Sequence, residues 1–437
     1  MERVQDYKLT ARYQVWVVVL LFASTFINGV DRASLSSAAP VLMKDLNIDP
    51  AIMGMILSAF FWPYALLNIP AGALSDKYGA KKVLAVSASI WSVCSALTGA
   101  VSNYFLLFLA RIGVGVGEAA NFPVNAKIVN NIFPSNRRGT VIGWYTAGLR
   151  LGFAASPLLM AWLMTNYGWR NAFYITGIGS LAWVALWVFT FKEYKRSKEE
   201  NVRAEGAEKK VKIPWKVLLS NRTVLGLVIC KLFQDYLFYL FVTWIPAYLV
   251  MGRGFTILKM GWYASLPWIA GFCAQPLIGW FSDWLIGRGI SITVSRKSNI
   301  IIMQLFASVI VAVGFVDDVM TAVWLLIMAV ACESASTAML WTTLTEVAPR
   351  KLAGTLAGIM NTAGAFAGAV APIVTGLVIK ITGSFKIALL VGGVMVILAA
   401  ISMLFIVGKL EPLKLSREYE DHTNDSDMGK NAVTSGH

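Results

Sequence analysis

Charge is scarce in this chain. Asp, Glu, Lys and Arg make up 14% of its 437 residues, against about 25% in a soluble domain. So few charges do not make a water-soluble surface for a chain of this size. Hydrophobic residues make 57% and aromatic residues 12%, and the mean hydropathy is +0.64. Soluble globular, disordered and collagenous classes are excluded, and the main solvent is expected to be lipid. Histidine is rarer still. The two present, His422 and His437, stand near the end of the chain, which rules out a Ser-His-Asp constellation. Cys94, Cys230, Cys273 and Cys332 all fall in apolar runs, with no C-x-x-C or His-linked spacing. Neither a disulfide nor a metal site is expected. There is no Walker loop, so ATP is not expected to drive any process. Gly113-x-Gly115-x-Gly117 lies inside an apolar run and follows no strand. It reads as helix packing, not as a dinucleotide loop. No enzyme activity, no cofactor and no metal are expected.

Acidic residues are also in deficit. Lys and Arg number 38 against 24 Asp and Glu, a net charge of +14. Nucleic acid is the first partner to test for such a balance, and the placement of the basic residues argues against it. Runs of about 20 mostly apolar residues are long enough to span a bilayer. Twelve such runs are expected, near 13–40, 52–72, 82–102, 104–128, 138–163, 171–191, 222–250, 260–285, 298–316, 320–342, 354–379 and 386–408. The first contains VWVVVLLFASTFI with no small-residue cleavage site after it, and it reads as a retained span. With the N-terminus cytoplasmic, 28 of the basic residues fall in inside segments. Six fall outside (Lys44, Arg170, Arg253, Lys259, Lys380 and Lys386) and four fall within spans. This bias places both termini in the cytoplasm. The positive charge is mainly an orientation device, and lipid takes the place of nucleic acid as partner.

The longest polar stretch, KEYKRSKEENVRAEGAEKKVK, follows span six. It divides the chain into a six-helix half at 1–191, a cytoplasmic linker at 192–221 with some helix of its own, and a second half at 222–410. A polar tail at 411–437 is expected to be disordered. The halves repeat. Pro134, Gly139, Thr140, Gly143 and Pro157 recur as Pro349, Gly354, Thr355, Gly358 and Pro372, each 215 residues later, and Gly72-x-x-x-Asp76 recurs as Gly279-x-x-x-Asp283. Parallel six-helix halves are a transporter architecture, with the ligand held between them near the midplane.

Eight ionisable residues fall within the spans: Asp31 and Arg32 in span one, Arg111 and Glu118 in span four, Arg150 in span five, Lys231 and Asp235 in span seven, and Glu333 in span ten. Such residues cost several kcal/mol in lipid and mark function by default. Arg111 and Glu118 are seven apart, which sets both on one helix face with a rise of ~10 Å. They are expected to bracket a space facing span one, where Asn28 precedes Asp31 and Arg32 by one turn. Lys231 and Asp235 stand i,i+4, either as a structural ion pair or as a second charge pair for binding and coupling. Several arginines favour an anion, since guanidinium grips carboxylate or phosphate bidentately and stays charged.

Residues 72–82, GALSDKYGAKK, fit the loop between spans two and three of the major facilitator superfamily. Gly72, Asp76, Gly79, Lys81 and Lys82, with Asp283 as the counterpart, are read as a gating loop in which Asp76 pairs with a basic residue or a helix N-terminus across the bundle. NGVDRASLSSAAP (28–40), RIGVGVGEAANFP (111–123) and TWIPAYL (243–249) resemble the anion:cation symporter family within that superfamily. The similarity extends over nearly the whole chain. Its members include proton-coupled carriers of sugar acids, tartrate, phthalate and organosulfonates. The resemblance implies an all-α membrane protein of twelve transmembrane helices in two pseudo-symmetric halves. It also implies import of a small organic anion by proton symport in the cell membrane, by a monomer driven by the proton gradient.

Carried over by position, Asp31 and Glu118 exchange protons, Arg32 contacts the substrate carboxylate, and Arg111 ties Glu118 to the conformational cycle. Tyr64, Trp341 and Asn361 match positions lining a sugar-acid site, although each also has an ordinary reading as a packing aromatic or an interhelical hydrogen bond. The galactonate-type pattern has a polar Gln after Y-T-x-G, whereas here Tyr145-Thr146-Ala147-Gly148 is followed by Leu149 and Arg150, and span seven adds Lys231 and Asp235. These changes suggest a smaller or more highly charged anion, such as a dicarboxylate or sulfonate. An anion uniporter or phosphate-linked exchanger would use the same arginines without coupling carboxylates, and a non-transporting sensor would keep the fold.

Overall fold

The computed structural model describes residues 10–193, 218, 220–349 and 352–413. Most of the expected linker, and the expected tail beyond residue 413, lie outside the described residues. Among the described residues every regular element is helical, as lipid requires of a backbone that must satisfy its own hydrogen bonds. The helices are α1 Ala11–Asp45, α2 Pro50–Ala59, α3 Phe61–Tyr78, α4 Ala80–Leu97, α5 Tyr104–Glu118, α6 Asn121–Ile132, α7 Ser135–Thr190, α8 Arg222–Ala247, α9 Ile257–Gly287, α10 Ile292–Ala307, α11 Ile310–Val313, α12 Val319–Val347, α13 Ala353–Thr382 and α14 Phe385–Ile401. Short polar residues start many of them. Asp49, Asn103, Asn221, Ser291 and Asp318 each accept a backbone N–H of the first turn, where no intrahelical partner exists.

Ten stretches of the described residues are long and apolar enough to cross a membrane, and they account for eleven of the twelve expected spans. The stretch Arg137–Thr190 has 54 residues, about 80 Å of helix and far more than one crossing needs. Gly168, at φ 78° and ψ 161°, breaks it, and the two parts are spans five and six. The twelfth span is α9, whose 31 residues reach across a ~30 Å core. It packs against α7 and α12. Spans two, four and nine are each a pair of short helices. The break in span four falls directly after Glu118 and just ahead of Pro123, which cannot continue the hydrogen-bond ladder.

The bundle is tight at one end and open at the other. At the tight end Lys380 of α13 meets Asp49, Nζ to Oδ2 2.9 Å, and Ser58 donates to the carbonyl of Ala369 at 2.6 Å. Both contacts join the first half of the chain to the second. At the other end Asp76 pairs with Lys127 at 2.8 Å and Asp283 with Arg296 at 2.8 Å, each within its own half. The repeated glycines Gly139, Gly143, Gly354 and Gly358 face open space there.

Candidate functional site

Six of the eight expected intramembrane charges are buried and Arg32 and Arg150 are partly buried, and spans one, four, five, seven and ten bring all eight to one central cluster. α1 carries Asp31 and Arg32 to opposite partners. Asp31 is 1% exposed. Its Oδ1 accepts from Ser95 of span three at 2.9 Å and its Oδ2 from Ser180 of span six at 3.5 Å. Arg32 turns the other way, and its Nε lies 2.8 Å from Oε2 of Glu118. The guanidinium lies beside the rings of both Tyr64 (4.5 Å) and Phe60 (4.8 Å), an arrangement suited to its planar, weakly hydrated charge. Phe60 and Tyr64 stack on each other, 5.4 Å apart.

Arg111 and Glu118 form no salt bridge within 4 Å but stay within electrostatic reach of each other, while Glu118 pairs directly with Arg32. Arg111 reaches span one through the backbone carbonyl of Asp31, at 3.5 Å. Asn28 stands beside Glu118, but its amide atoms meet no partner in normal hydrogen-bond geometry.

The second group of charges lies across the cluster. Lys231 and Asp235 form a buried pair, Nζ to Oδ1 2.7 Å. Gly364 of α13 lies directly against the Asp235 carboxylate, and the ring of Trp341 lies 5.5 Å from the ammonium. Asn361 is one turn away on α13, exposed. Arg150 lays its guanidinium over Phe238 at 4.9 Å. Glu333 is fully buried and accepts from Thr337 at 2.7 Å.

With every group ionised, the cluster holds four cations and four carboxylates. Only two pairs close within salt-bridge distance, Arg32 with Glu118 and Lys231 with Asp235. Arg32 Nη2, Arg111 Nε, Glu118 Oε1, Arg150 Nη1 and Glu333 Oε2 are buried and have no hydrogen-bond partner. A folded chain rarely leaves so many charged atoms unsatisfied in one place. In a membrane protein such a cluster marks a binding or proton-exchange site.

Several members have no sequence signal. Ser95, Ser180, Phe60, Phe238, Thr337 and Tyr239 belong to no motif. Tyr239, against Phe61 at 4.6 Å, lies within electrostatic reach of Arg32, Arg150, Tyr64 and Asp235, and so touches the concerns of both groups. In the loop read as a gate, Asp76 pairs with a basic residue, Lys127 of α6 in its own half. The N-terminus of α4 is capped by Glu193, whose carboxylate accepts from Ala80 N at 2.8 Å and Lys81 N at 2.6 Å. Gly79, at φ 91°, makes the turn there.

Known proteins agree with this architecture. A probable galactarate/D-glucarate transporter of Escherichia coli is 34% identical over 94% of this chain and 96% of its own length. A probable sulfoacetate transporter of Cupriavidus necator is 30% identical over 91% of this chain and 94% of its own. Among solved structures, a bacterial homolog of the human lysosomal transporter Spinster, inward-facing and unoccupied, superposes with a TM-score of 0.76. It is 17% identical and covers 91% of this chain and 98% of that one, a likeness of fold. Residues 21–372 match the Major Facilitator Superfamily. The chain is a multi-pass, non-enzymatic membrane protein, and it belongs to the Major Facilitator Superfamily.

Proposed function

We propose that the chain is a secondary active transporter that imports a small organic anion by proton symport with alternating access. The observation that carries this reading is the Arg32–Glu118 pair. One guanidinium nitrogen is held by Glu118 and another, Nη2, is buried and free. A substrate carboxylate has a bidentate partner in Arg32 only if it competes with Glu118. A carboxylate displaced from its arginine inside a bundle carries an uncompensated charge, and a proton removes it. Anion and proton then favour one another's binding, by reciprocal linkage. Asp31, held by two serine hydroxyls and by no side-chain cation within 4 Å, is the second proton-exchanging carboxylate. Tyr64 shapes the Arg32 site. Arg150, Trp341 and Asn361 line the far side, and Lys231–Asp235 is the second charge pair.

The excess of basic residues at the Asp76 end supports placing that end, and both termini, in the cytoplasm of a cell whose plasma membrane holds the protein. The closed Asp49 end then makes this conformation inward-open. The two halves, 1–191 and 222–410, rock about the central cluster, and the monomer is the working unit, with no cofactor. The names of the relatives support carboxylates, sugar acids, dicarboxylates or sulfonates as cargo.

The test uses proteoliposomes of the full chain, loaded with a pH-sensitive dye. Adding the transported anion outside should acidify the lumen. Glu118→Gln should abolish accumulation driven by a pH gradient while anion exchange remains measurable. Wild-type anion uptake without proton movement, insensitive to the gradient, favours a uniporter or phosphate-linked exchanger. Binding with no uptake at all favours a sensor.

A further inference from the structure

Glu333 and Arg150 are each fixed in place, and each points an unsatisfied atom into the cluster. Glu333 is held by a chain of hydrogen bonds through three spans. Gln304 of α10 donates to Oε1 of Gln234 at 2.9 Å, and Ser336 donates to the same oxygen at 3.0 Å. Gln234 Nε2 donates to Thr337 Oγ1 at 2.5 Å, and Thr337 donates to Glu333 Oε1 at 2.7 Å. A relay this complete sets the rotamer of a carboxylate that is 0% exposed and still leaves Oε2 without a partner. Arg150 is steadied by its stack on Phe238 and leaves Nη1 without a partner. The two side chains interact electrostatically, yet no salt bridge forms between them within 4 Å.

The charged groups facing Glu333 are Arg150 from span five and Lys231 and Asp235 from span seven. Lys231 and Asp235 are committed to each other. From span eight Gly271 packs against Ser334, next to Glu333, and from span nine comes the uncharged Gln304. Arg150 is therefore the one cation available to a ligand on this side.

We propose that Arg150 and Glu333 form a second anion and proton subsite, and that the cargo is a dianion. One anionic end binds Arg32, the far end binds Arg150, and Glu333 takes up a second proton. Tyr239, within reach of both arginines, lies between the ends. The inference rests on the transport reading above and extends it to the charge of the cargo. The physical reason is local neutrality. An anionic group arriving at Arg150 meets the fixed charge of Glu333, and the repulsion disappears only if that carboxylate is protonated. A monoanion engages Arg32 alone and leaves Glu333 out of the cycle. The bond bookkeeping is simple: one proton joins Glu333 Oε2 on binding and leaves it on release, and no covalent bond of the cargo changes.

The test compares matched pairs that differ by one acidic group: galactarate with galactonate, D-glucarate with gluconate, and sulfoacetate with acetate. Binding is measured on the purified full chain by calorimetry, and proton movement in dye-loaded proteoliposomes. At least one dianion should bind about 10- to 100-fold more tightly than its monoanion, the worth of one charged hydrogen-bonded contact. Arg150→Gln should erase that ratio, and Arg150→Lys should restore part of it. Glu333→Gln should remove one proton from the count per dianion and leave the count per monoanion unchanged. Thermal melting of each variant reports whether it folds.

Equal affinities across every pair, or a ratio that survives Arg150→Gln, overturn the subsite and leave the anion transporter standing. An unchanged proton count in Glu333→Gln overturns the role of Glu333. If no anion of the panel binds or moves, the transport reading and the subsite fall together.

Discussion

The carbonyl of Pro372 lies against Gly54, with no room for a Cβ between them. One turn along, the carbonyl of Pro50 lies against Gly376 in the same way. The pseudo-symmetric counterpart is present too. Gly261 packs on the carbonyl of Pro157, 2.8 Å from where its Cβ would be, and Pro157 and Pro372 are the prolines repeated 215 residues apart. Spans two and eleven, and spans five and eight, thus cross backbone to backbone at the closed end. Small residues allow that approach between membrane helices.

Gly54→Val should hold the Asp49 end apart. Overpacking at a well-packed contact costs about 1–3 kcal/mol, enough to shift a two-state equilibrium well toward the alternative. Spin labels placed across that end should report longer distances, and uptake should fall. Unchanged distances and full uptake would show that the crossing has slack that the structure does not display.

The Asp49–Lys380 bridge spans the same end and is partly open to solvent, with side chains 34% and 52% exposed. Burial works to raise the Asp49 pKa, but the Ile52 N–H and the Lys380 ammonium outweigh it and hold the carboxyl below its ordinary value. A depressed carboxyl contributes fully above its unpaired pKa and loses that contribution as pH falls through the folded one. From about pH 5 upward the bridge is therefore constant. Lys380→Met should cost the closed state at most about 1 kcal/mol. The pH profile of uptake from about pH 5 upward should keep its shape in the variant; a displaced profile would assign the gate a titrating role.

Glu193 caps α4 with two backbone hydrogen bonds, next to the gating loop. Glu193→Ala should destabilise the fold by about 0.5–2 kcal/mol, the usual worth of a lost cap, aided by the helix dipole. Glu193→Gln keeps an acceptor and should recover part of the loss. A melting temperature identical to wild type in the alanine variant would mean that another group caps this terminus.

Much of the molecule was legible from composition and spacing. The twelve spans follow from runs of apolar residues, because lipid tolerates little else. The halves follow from prolines and glycines repeated at one offset. The eight membrane charges stand out for the same reason that lipid rejects them. Helical periodicity correctly set Lys231 one turn from Asp235, since both lie on one helix. The boundary between spans five and six was legible as well, although a single long helix with one non-helical glycine joins them.

Partners on different helices were beyond that reach. Periodicity tells which side chains share a face, but it does not fix how one helix is rotated against the next. Glu118 therefore met Arg32 on span one, and not the arginine of its own span. Ser95 and Ser180 hold Asp31 from two further spans, and nothing marks them among the other serines. Glu193 follows span six in the chain yet serves the start of span three. Arg150 and Glu333 were visible as isolated charges. That they come within electrostatic reach of each other, each with one buried unpartnered atom, is a consequence of packing, because they stand on spans five and ten, whose relative rotation periodicity does not fix.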